Sequence, residues 1–282
     1  MEILCNSRCT IGEGPIWNVA QQKLYHVGGA NNGLHILDVE TKAFSPRYLD
    51  FGMAALAFTK DGGIIFSCRA GAFSLHADGS RTYLYDPEKY QILYGNDAKV
   101  GPDGRFYVGT QSSKRMKLGD EIDGKLYCID PNGEVKVLLD DLILSNGFDW
   151  SMDQKRFYHT DSDTKTIKEY AYDPTTPSLT FTGRQITVPG VDGFTIDEKD
   201  QLYVACWGKG HIAVVDTKTM EIIDYIAVPT QIPASCCFAG TAMDQLVVTT
   251  ANWKSDLQAD PHAGFTFIHQ TQTHGRPPFL FG

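Results

Sequence analysis

The stretch EGPIW at residues 13–17 is the first of six similar segments that recur along the chain. Each begins on a small or oxygen-bearing residue and carries an apolar residue, usually a large one, four places later. The six segments are EGPIW at 13–17, AALAF at 54–58, NDAKV at 96–100, NGFDW at 146–150, DGFTI at 192–196 and ASCCF at 234–238. Their starts are separated by 41, 42, 50, 46 and 42 residues. A period in the low forties is that of a four-stranded propeller blade, so the spacing predicts six blades.

The interior of each repeat supports the same fold. In the third repeat a turn, GPDGR at 101–105, leads into a β-rich strand, RFYVGT at 105–110, and a further strand, GKLYCID, follows at 124–130. Alternating apolar residues and Gly/Asp turns of this kind indicate hairpins. We therefore predict an all-β chain in which residues 1–282 form a single six-bladed β-propeller domain. The segment from Ile3 onward is too short for a blade, and we expect it to add an outer strand to the last blade and hide its edge.

Composition narrows the possible partners. The 282 residues carry a net charge of −9, which argues against nucleic acid or an anionic membrane as the main partner. No apolar run approaches transmembrane length. The seven cysteines include no CxxC pair, and the N-terminus has no basic segment followed by an apolar one. These features predict reduced, mostly buried thiols in a cytoplasmic protein whose partner is a small molecule; the oligomeric state stays open.

The starts of the six segments predict a metal site. In a propeller the first strand of every blade lines the central channel, so equivalent starts form a ring. Here that ring would consist of Glu13, Ala54, Asn96, Asn146, Asp192 and Ala234. Converging carboxylates repel each other, and one divalent cation offsets two of them. Oxygen donors suit Ca²⁺, Mg²⁺ or Mn²⁺, and the absence of histidine at these starts is less typical of Zn²⁺.

The alternative is that Asn146-Gly147 and Asp192-Gly193 are ordinary turn pairs, since both dipeptides are common in turns. Four of the six segments begin with an oxygen-bearing residue at the equivalent position, and this favours a metal site over ordinary turns. His26 and His159 stand in predicted strands, and we interpret them as packed or surface side chains.

Two repeats are longer than the others. The third has extra residues at 111–124, between Thr110 and Lys125, and the fourth has extra residues at 172–185. Long loops in compact domains are often functional, so we predict a lid at 111–124, with plain surface variation as the alternative.

Five motifs resemble one family. They are CTIGEGPIW at 9–17, NDAKVGPDGRFYVGT at 96–110, SNGFDWSMDQKRFYHTDS at 145–162, DGFTIDEKDQLYVACW at 192–207 and ASCCFAG at 234–240. Together they are similar to the senescence-marker-protein/gluconolactonase family, the regucalcin-like sugar lactonases. The resemblance implies a six-bladed propeller that opens a gluconolactone-like sugar lactone to the sugar acid. It also implies one divalent metal ion (Ca²⁺, Mn²⁺, Mg²⁺ or Zn²⁺) held by Glu13, Asn146 and Asp192, with Asn96 contacting substrate or a metal-bound water.

The chain departs from the family near the expected substrate. Many members have an arginine two residues before the asparagine that matches Asn96, and here that residue is Tyr94. Tyrosine can donate a hydrogen bond or stack on a sugar, but it cannot form a guanidinium fork. The resemblance also suggests Glu121, in the 111–124 loop, as a substrate contact. We hypothesise that the basic cluster, Lys114, Arg115 and Lys117, replaces the missing arginine.

These residues suggest a mechanism in which the metal acts as Lewis acid on the lactone carbonyl and Asp192 acts as general base toward the attacking water. Two alternatives remain: a non-catalytic propeller that binds calcium or docks a partner, and a metal-dependent phosphotriesterase-type hydrolase.

Overall fold

The computed structural model describes residues 1–28 and 33–282. Its strands form six four-stranded antiparallel sheets, so the predicted fold class, a six-bladed β-propeller with four-stranded blades, is confirmed. The chain divides into two compact units: unit 1 contains residues 1–52 and 186–278, and unit 2 contains residues 53–185 and 279–282. That all 282 residues form one domain stays a prediction. No helix within the described residues is long and apolar enough to cross a membrane.

Unit 1 holds the first, fifth and sixth blades. The first blade contains β2 (Glu13–Asn18), β3 (Lys23–Val27), β4 (Gly33–Leu37) and β5 (Phe44–Tyr48). The fifth contains β18 (Val191–Ile196), β19 (Gln201–Cys206), β20 (His211–Asp216) and β21 (Glu221–Ala227). The sixth contains β22 (Pro233–Ala239), β23 (Gln245–Thr250), β24 (Thr266–Gln270) and, on its outer edge, β1 (Glu2–Cys5).

The place of β1 confirms the predicted closure. Glu2 pairs with Ile268 and Ile3 with Phe267 in an antiparallel ladder. The first strand of the chain thereby covers the free edge of β24, which would otherwise expose unpaired backbone groups.

Unit 2 holds the second, third and fourth blades. The second contains β6 (Ala55–Phe58), β7 (Ile64–Cys68), β8 (Gly71–Leu75) and β9 (Arg81–Tyr83). The third contains β10 (Gly95–Val100), β11 (Phe106–Thr110), β12 (Gly124–Ile129) and β13 (Val135–Leu142), with the short helix α1 (Ser113–Met116) between β11 and β12. The fourth contains β14 (Ser145–Trp150), β15 (Arg156–Asp161), β16 (Thr166–Asp173) and β17 (Ser178–Thr187).

The extra residues at 172–185 do not form a loop. Apart from the turn at 174–177, they belong to β16 and β17, which have 8 and 10 residues and make a long outer hairpin. The sequence shows an insertion there because both strands are extended, while the turn between them stays short.

The repeated pattern of the sequence is also the pattern of the core. The residues four places after each opening are all buried: Trp17, Phe58, Val100, Trp150, Ile196 and Phe238. In unit 2, Trp150 packs with Tyr107, Phe148 and Phe157, and its ring centroid lies 4.8 Å from that of Tyr107. Burying large apolar side chains on each innermost strand stabilises the fold by about 1.5–3 kcal/mol per side chain.

The first hairpin of every blade turns on a residue with positive φ, as the predicted turns require. These residues are Gln22, Gly62, Gly104, Gln154, Asp200 and Met243, with φ between 52° and 86°. Glycine occupies this region without cost, whereas the other four residues are held there by the surrounding hairpin.

The last residues of the chain, after β24, pack against these hairpin ends. In unit 1 the Gly275 amide donates to the Met243 carbonyl at 2.8 Å. In unit 2 the Phe281 amide donates to the Phe58 carbonyl at 2.9 Å.

Candidate metal and substrate site

The six predicted ring residues occupy equivalent positions at the start of the innermost strands. Glu13 is the first residue of β2, and Ala54 immediately precedes β6. The other four, Asn96, Asn146, Asp192 and Ala234, are each the second residue of their strand. In five of the six strands the pairing register shifts at this point, as between Glu13 and Ile16 or between Asn146 and Phe148. Such a bulge bends the strand and re-aims a side chain.

The turn interpretation of the two Asx-Gly pairs is wrong. Asn146 and Gly147 lie within β14, and Asp192 and Gly193 lie within β18. Glycine is needed at 193 because a Cβ there would collide with Ser235 Oγ and lie 2.6 Å from Ser235 Cβ. The close approach of β18 and β22 therefore explains this glycine, and no turn is involved.

Unit 1 contains two of the predicted ligands, both carboxylates. β2 and β18 both pack against β22, so Glu13 and Asp192 lie on the strands that flank the one carrying Ala234. Asp192 is 5% exposed, Ala234 is fully buried and Glu13 is half-buried. A buried carboxylate is costly unless it is paired, hydrogen-bonded or bound to a cation.

Unit 2 contains the two predicted amides, Asn96 and Asn146. Asn96 Nδ2 donates to the Ser145 carbonyl at 3.0 Å, and Asn96 Oδ1 accepts from Gln111 Nε2 at 3.2 Å. These bonds fix the Asn96 amide against β14, beside Asn146, which is 7% exposed. His159 supports the same strand, because its Nε2 lies 2.8 Å from Ser145 Oγ. Burial lowers the pKa of His159 to about 3, so the ring is neutral and packed, as the sequence indicated.

A charged cluster lies on the same two innermost strands and was missed in the sequence. Lys99 Nζ lies 2.8 Å from Asp149 Oδ2, and Asp149 is buried. Lys99 lies three residues after Asn96, and Asp149 lies three residues after Asn146. Burial raises the pKa of the neighbouring Asp97 to about 6, although Lys99 opposes that shift. Charged residues within an innermost strand were the signal that could have identified this cluster.

Tyr94 leads into β10 in a left-handed conformation, with φ of 58°. Its amide donates to the Arg69 carbonyl at 2.8 Å, and its carbonyl accepts from the Gln111 amide at 3.0 Å. Tyr94 is thus held half-buried, two residues before Asn96 and beside the backbone of Arg69.

The loop at 111–124 is organised by its own hydrogen bonds. Ser112 caps α1 by accepting from the Arg115 amide at 3.1 Å, and Asp123 accepts from both the amide and the hydroxyl of Ser113. Arg115 lies 3.9 Å from Asp163 and Arg69 lies 3.9 Å from Met116 Sδ, so the loop touches both neighbouring blades of unit 2. The side chain of Glu121 is exposed, and its carbonyl accepts from the Lys114 amide at 3.0 Å; its contact with substrate stays a prediction. Whether this loop acts as a lid stays a prediction.

Comparisons with known proteins agree with this architecture. A family model described as SMP-30/Gluconolactonase/LRE-like region matches residues 11–252. The putative sugar lactone lactonase YvrE of Bacillus subtilis is 31% identical over 288 residues, covering 98% of this chain and 96% of that protein. Pentonolactonase XacC of Haloferax volcanii is 29% identical over 289 residues, covering 97% and 95%. The crystal structure of a calcium-binding regucalcin from Agrobacterium tumefaciens superposes with a TM-score of 0.88 at 24% identity, covering 99% of this chain and 96% of that one.

Proposed function

Because the chain belongs to the SMP-30/Gluconolactonase/LRE-like family, we propose that it is a metal-dependent hydrolase that opens a sugar lactone to the sugar acid. Two relatives that match almost its whole length are named as lactonases of sugars. The observation that carries the proposal is the equivalent placing of Glu13, Asn146 and Asp192 at the starts of three innermost strands.

The proposed ligands suit a hard divalent cation. Two carboxylates and one amide offer only oxygen donors, which Ca²⁺, Mg²⁺ and Mn²⁺ prefer and which Zn²⁺ also accepts. Asp192 and Asn146 are both buried, and a cation would compensate the buried charge of Asp192. Glu13, Asn146 and Asp192 are therefore suitable ligands for a hard divalent cation. When bound, the ion supplies a Lewis acid that polarises the lactone carbonyl and acidifies water.

Asp192 is the proposed general base. It would take a proton from the attacking water as the new bond to the carbonyl carbon forms. When the bond between that carbon and the ring oxygen breaks, the same proton would pass to the leaving ring oxygen. Asp192 is thereby returned to its carboxylate form, and the product is an open hydroxy acid. Glu13 and Asn146 would hold the ion during these steps.

Asn96 is the proposed positioning contact for water or substrate. One Nδ2 hydrogen is used by the Ser145 carbonyl and one Oδ1 lone pair by Gln111. An amide has two hydrogens and two lone pairs, so one donor and one acceptor position remain. Their directions are set by the two existing bonds, which is what a positioning group requires.

Substrate choice would depend on residues around Tyr94. We propose that Tyr94 contacts the sugar, and that the cluster Lys114, Arg115 and Lys117 takes the place of the family's arginine. All three basic side chains are exposed, and Arg115 also faces Asp163. Glu121 is a further proposed substrate contact; because its side chain is exposed, it would have to act at the outer face of the loop.

A matrix of metals against lactones tests the proposal. Metal-free protein would be supplied with Ca²⁺, Mg²⁺, Mn²⁺ or Zn²⁺ and a panel of sugar lactones, with acid release followed by a pH indicator. We expect turnover of at least one lactone with a subset of the ions. Calcium binding without turnover of any lactone would favour a binding propeller, and turnover confined to an organophosphate panel would favour a phosphotriesterase.

The seven free cysteines support our expectation of a reducing, cytoplasmic location.

A further inference from the structure

Unit 1 contains a buried group of one cysteine and two histidines, distinct from the proposed oxygen ligands. Cys9 lies between β1 and β2, His26 on β3 and His35 on β4. Their exposed fractions are 1%, 1% and 2%. One sulfur or nitrogen atom from each lies within 4.8 Å of those from the other two. A thiol and two imidazoles are the donors that a thiophilic ion selects.

One pair of these donors has the spacing of two ligands in a zinc site. Cys9 Sγ lies 3.6 Å from His35 Nδ1. In a tetrahedral site with Zn–S of about 2.3 Å and Zn–N of about 2.05 Å, the distance between a sulfur and a nitrogen ligand is about 3.6 Å. The rings of His26 and His35 meet edge to face, with centroids 4.7 Å apart. The two imidazole rings therefore do not stack face to face, which would hinder both from binding the same ion.

The surroundings also fix the orientation of each histidine. His26 Nδ1 lies 3.3 Å from the Val27 carbonyl, which can only accept, so this nitrogen carries the proton. The lone pair of Nε2 faces the Thr266 hydroxyl at 3.4 Å, and an ion bound to Nε2 would replace that contact. A hydrogen bond from the ring N–H to a backbone carbonyl is typical of metal-bound histidine, because it fixes the ring and its tautomer. His35 Nε2 packs against Gly28 and Gly33, where an added Cβ would come within 2.9 and 2.7 Å of it. Its Nδ1 is thereby turned toward Cys9.

The backbone of Cys9 is held independently of its side chain. Its amide donates to the Gly264 carbonyl at 2.9 Å, and its carbonyl accepts from the Asn252 amide at 3.2 Å. Gly264 and Asn252 lie in the sixth blade, between β23 and β24. The three donors are thus placed by the fold before any ion arrives, which lowers the cost of binding.

The thiolate, not the thiol, is the form of cysteine that binds a metal ion, so Cys9 must lose its proton on binding. Binding would break the S–H bond, release one proton to solvent and form the sulfur–metal bond, while both imidazoles bind without proton loss.

We propose that Cys9, His26 and His35 form a second metal site, for Zn²⁺, that fastens the segment between β1 and β2 to the first blade. That segment connects the outer strand of the sixth blade with the innermost strand of the first blade. A metal bond from Cys9 to β3 and β4 would therefore stabilise the closure that β1 provides, whereas the proposed oxygen ligands serve the reaction.

Cobalt is the probe for this site, because a thiolate bound to Co²⁺ gives a charge-transfer absorption band. Metal-free protein in excess Ca²⁺, which occupies oxygen sites, would be titrated with Co²⁺ both when folded and during refolding from urea. We expect one equivalent of Co²⁺ to give the band, with release of one proton. Cys9→Ser should lose the band, and Cys206→Ala, which alters another buried cysteine of unit 1, should keep it.

Thermal stability gives the second readout. With excess Ca²⁺ present to occupy the proposed oxygen ligands, Zn²⁺ at about 100 times its dissociation constant should raise the Tm by about 5 °C or more in wild type and Cys206→Ala. Under the same conditions it should have no effect in Cys9→Ser. If Cys9→Ser fails to fold, His26→Gln and His35→Gln replace it, and each should weaken Co²⁺ binding at least tenfold. The proposal is overturned if no band forms by either route, if the band survives loss of Cys9, or if the protein takes up Cu⁺ but neither Zn²⁺ nor Co²⁺.

Discussion

Replacing Gly193 by alanine tests how the contact between β18 and β22 positions Asp192. The added Cβ would lie 2.6 Å from Ser235 Cβ and 3.0 Å from its Cα, and would collide with its Oγ. The strands must separate to relieve this overlap, and overpacking of this kind costs about 1–3 kcal/mol. Glycine 193 has no positive φ, so alanine also gains about 0.4–1 kcal/mol by restricting the unfolded chain. The net loss of unfolding free energy is about 0–2.6 kcal/mol, with a central value of about 1.3 kcal/mol that corresponds to about 3–5 °C in Tm.

The same displacement should reach the proposed reaction. Asp192 directly precedes Gly193, and a catalytic group that moves by about 1 Å can lose about 100-fold in rate. We therefore expect kcat for a sugar lactone to fall about 10- to 100-fold and the dissociation constant for Ca²⁺ to rise. Differential scanning calorimetry, lactone kinetics and calcium titration would measure the three effects.

Two further variants separate the collision from other causes. Gly119→Ala is the matched control, because a Cβ there meets only Ser113 Cβ at 3.8 Å. Ser235→Gly in the Gly193→Ala background removes the overlapping Oγ and Cβ, and should restore most of the lost Tm and kcat. A Gly193→Ala protein with wild-type Tm and kinetics would refute the reasoning, as would a loss that Ser235→Gly does not relieve.

Four other outcomes follow from the structure. Asp192→Asn should lower kcat by about 10²–10⁴-fold with an unchanged circular dichroism spectrum, because the base is lost and the shape is kept; activity within tenfold of wild type would contradict its role. EDTA should abolish turnover, and activity that persists after complete metal removal would exclude a metal mechanism. The triple change Lys114→Ala, Arg115→Ala and Lys117→Ala should raise KM without altering Tm, since these side chains are exposed; unchanged kinetics would disprove the replacement of the arginine. In metal-free protein, Asp97→Asn should raise the unfolding free energy by about 1–3 kcal/mol at pH 7 but not at pH 4. Burial raises the pKa of Asp97 in the folded protein to about 6, so the wild-type protein loses unfolding free energy as the pH rises from about 4 to 6. Urea titrations at both pH values would measure this, and an equal change in unfolding free energy at pH 4 and pH 7 would contradict the explanation.

The blades could be predicted because their information is local. Each blade pairs consecutive strands, so a period of about forty residues, one apolar residue per innermost strand and one hairpin turn suffice to place them. The residues that open each innermost strand were placed at equivalent positions for the same reason. The outer closure by β1 was predictable because a propeller must cover its last edge.

The fine structure of the site could not be predicted in this way. The contact of Asn96 with Ser145 joins residues 49 positions apart, and the Lys99–Asp149 ion pair joins residues 50 positions apart. The residue types on these strands mark the side chains as candidates, but both contacts join neighbouring repeats and depend on how their innermost strands pack. The packing of residues 271–282 against hairpin ends was also unforeseen, because the segment lies beyond the last strand and follows no repeat.

The sequence by itself determined the number of blades, the residues that open them and the oxygen donors offered there, because periodicity and residue type are written along the chain. The tertiary structure alone decided which side chains from different strands meet. It explained Gly193 by the approach of Ser235, and it brought Cys9 to His35 at 3.6 Å and next to His26. The physical reason is that hydrogen-bonded strand order depends on neighbours in the chain, whereas such contacts depend on how separate strands and blades pack.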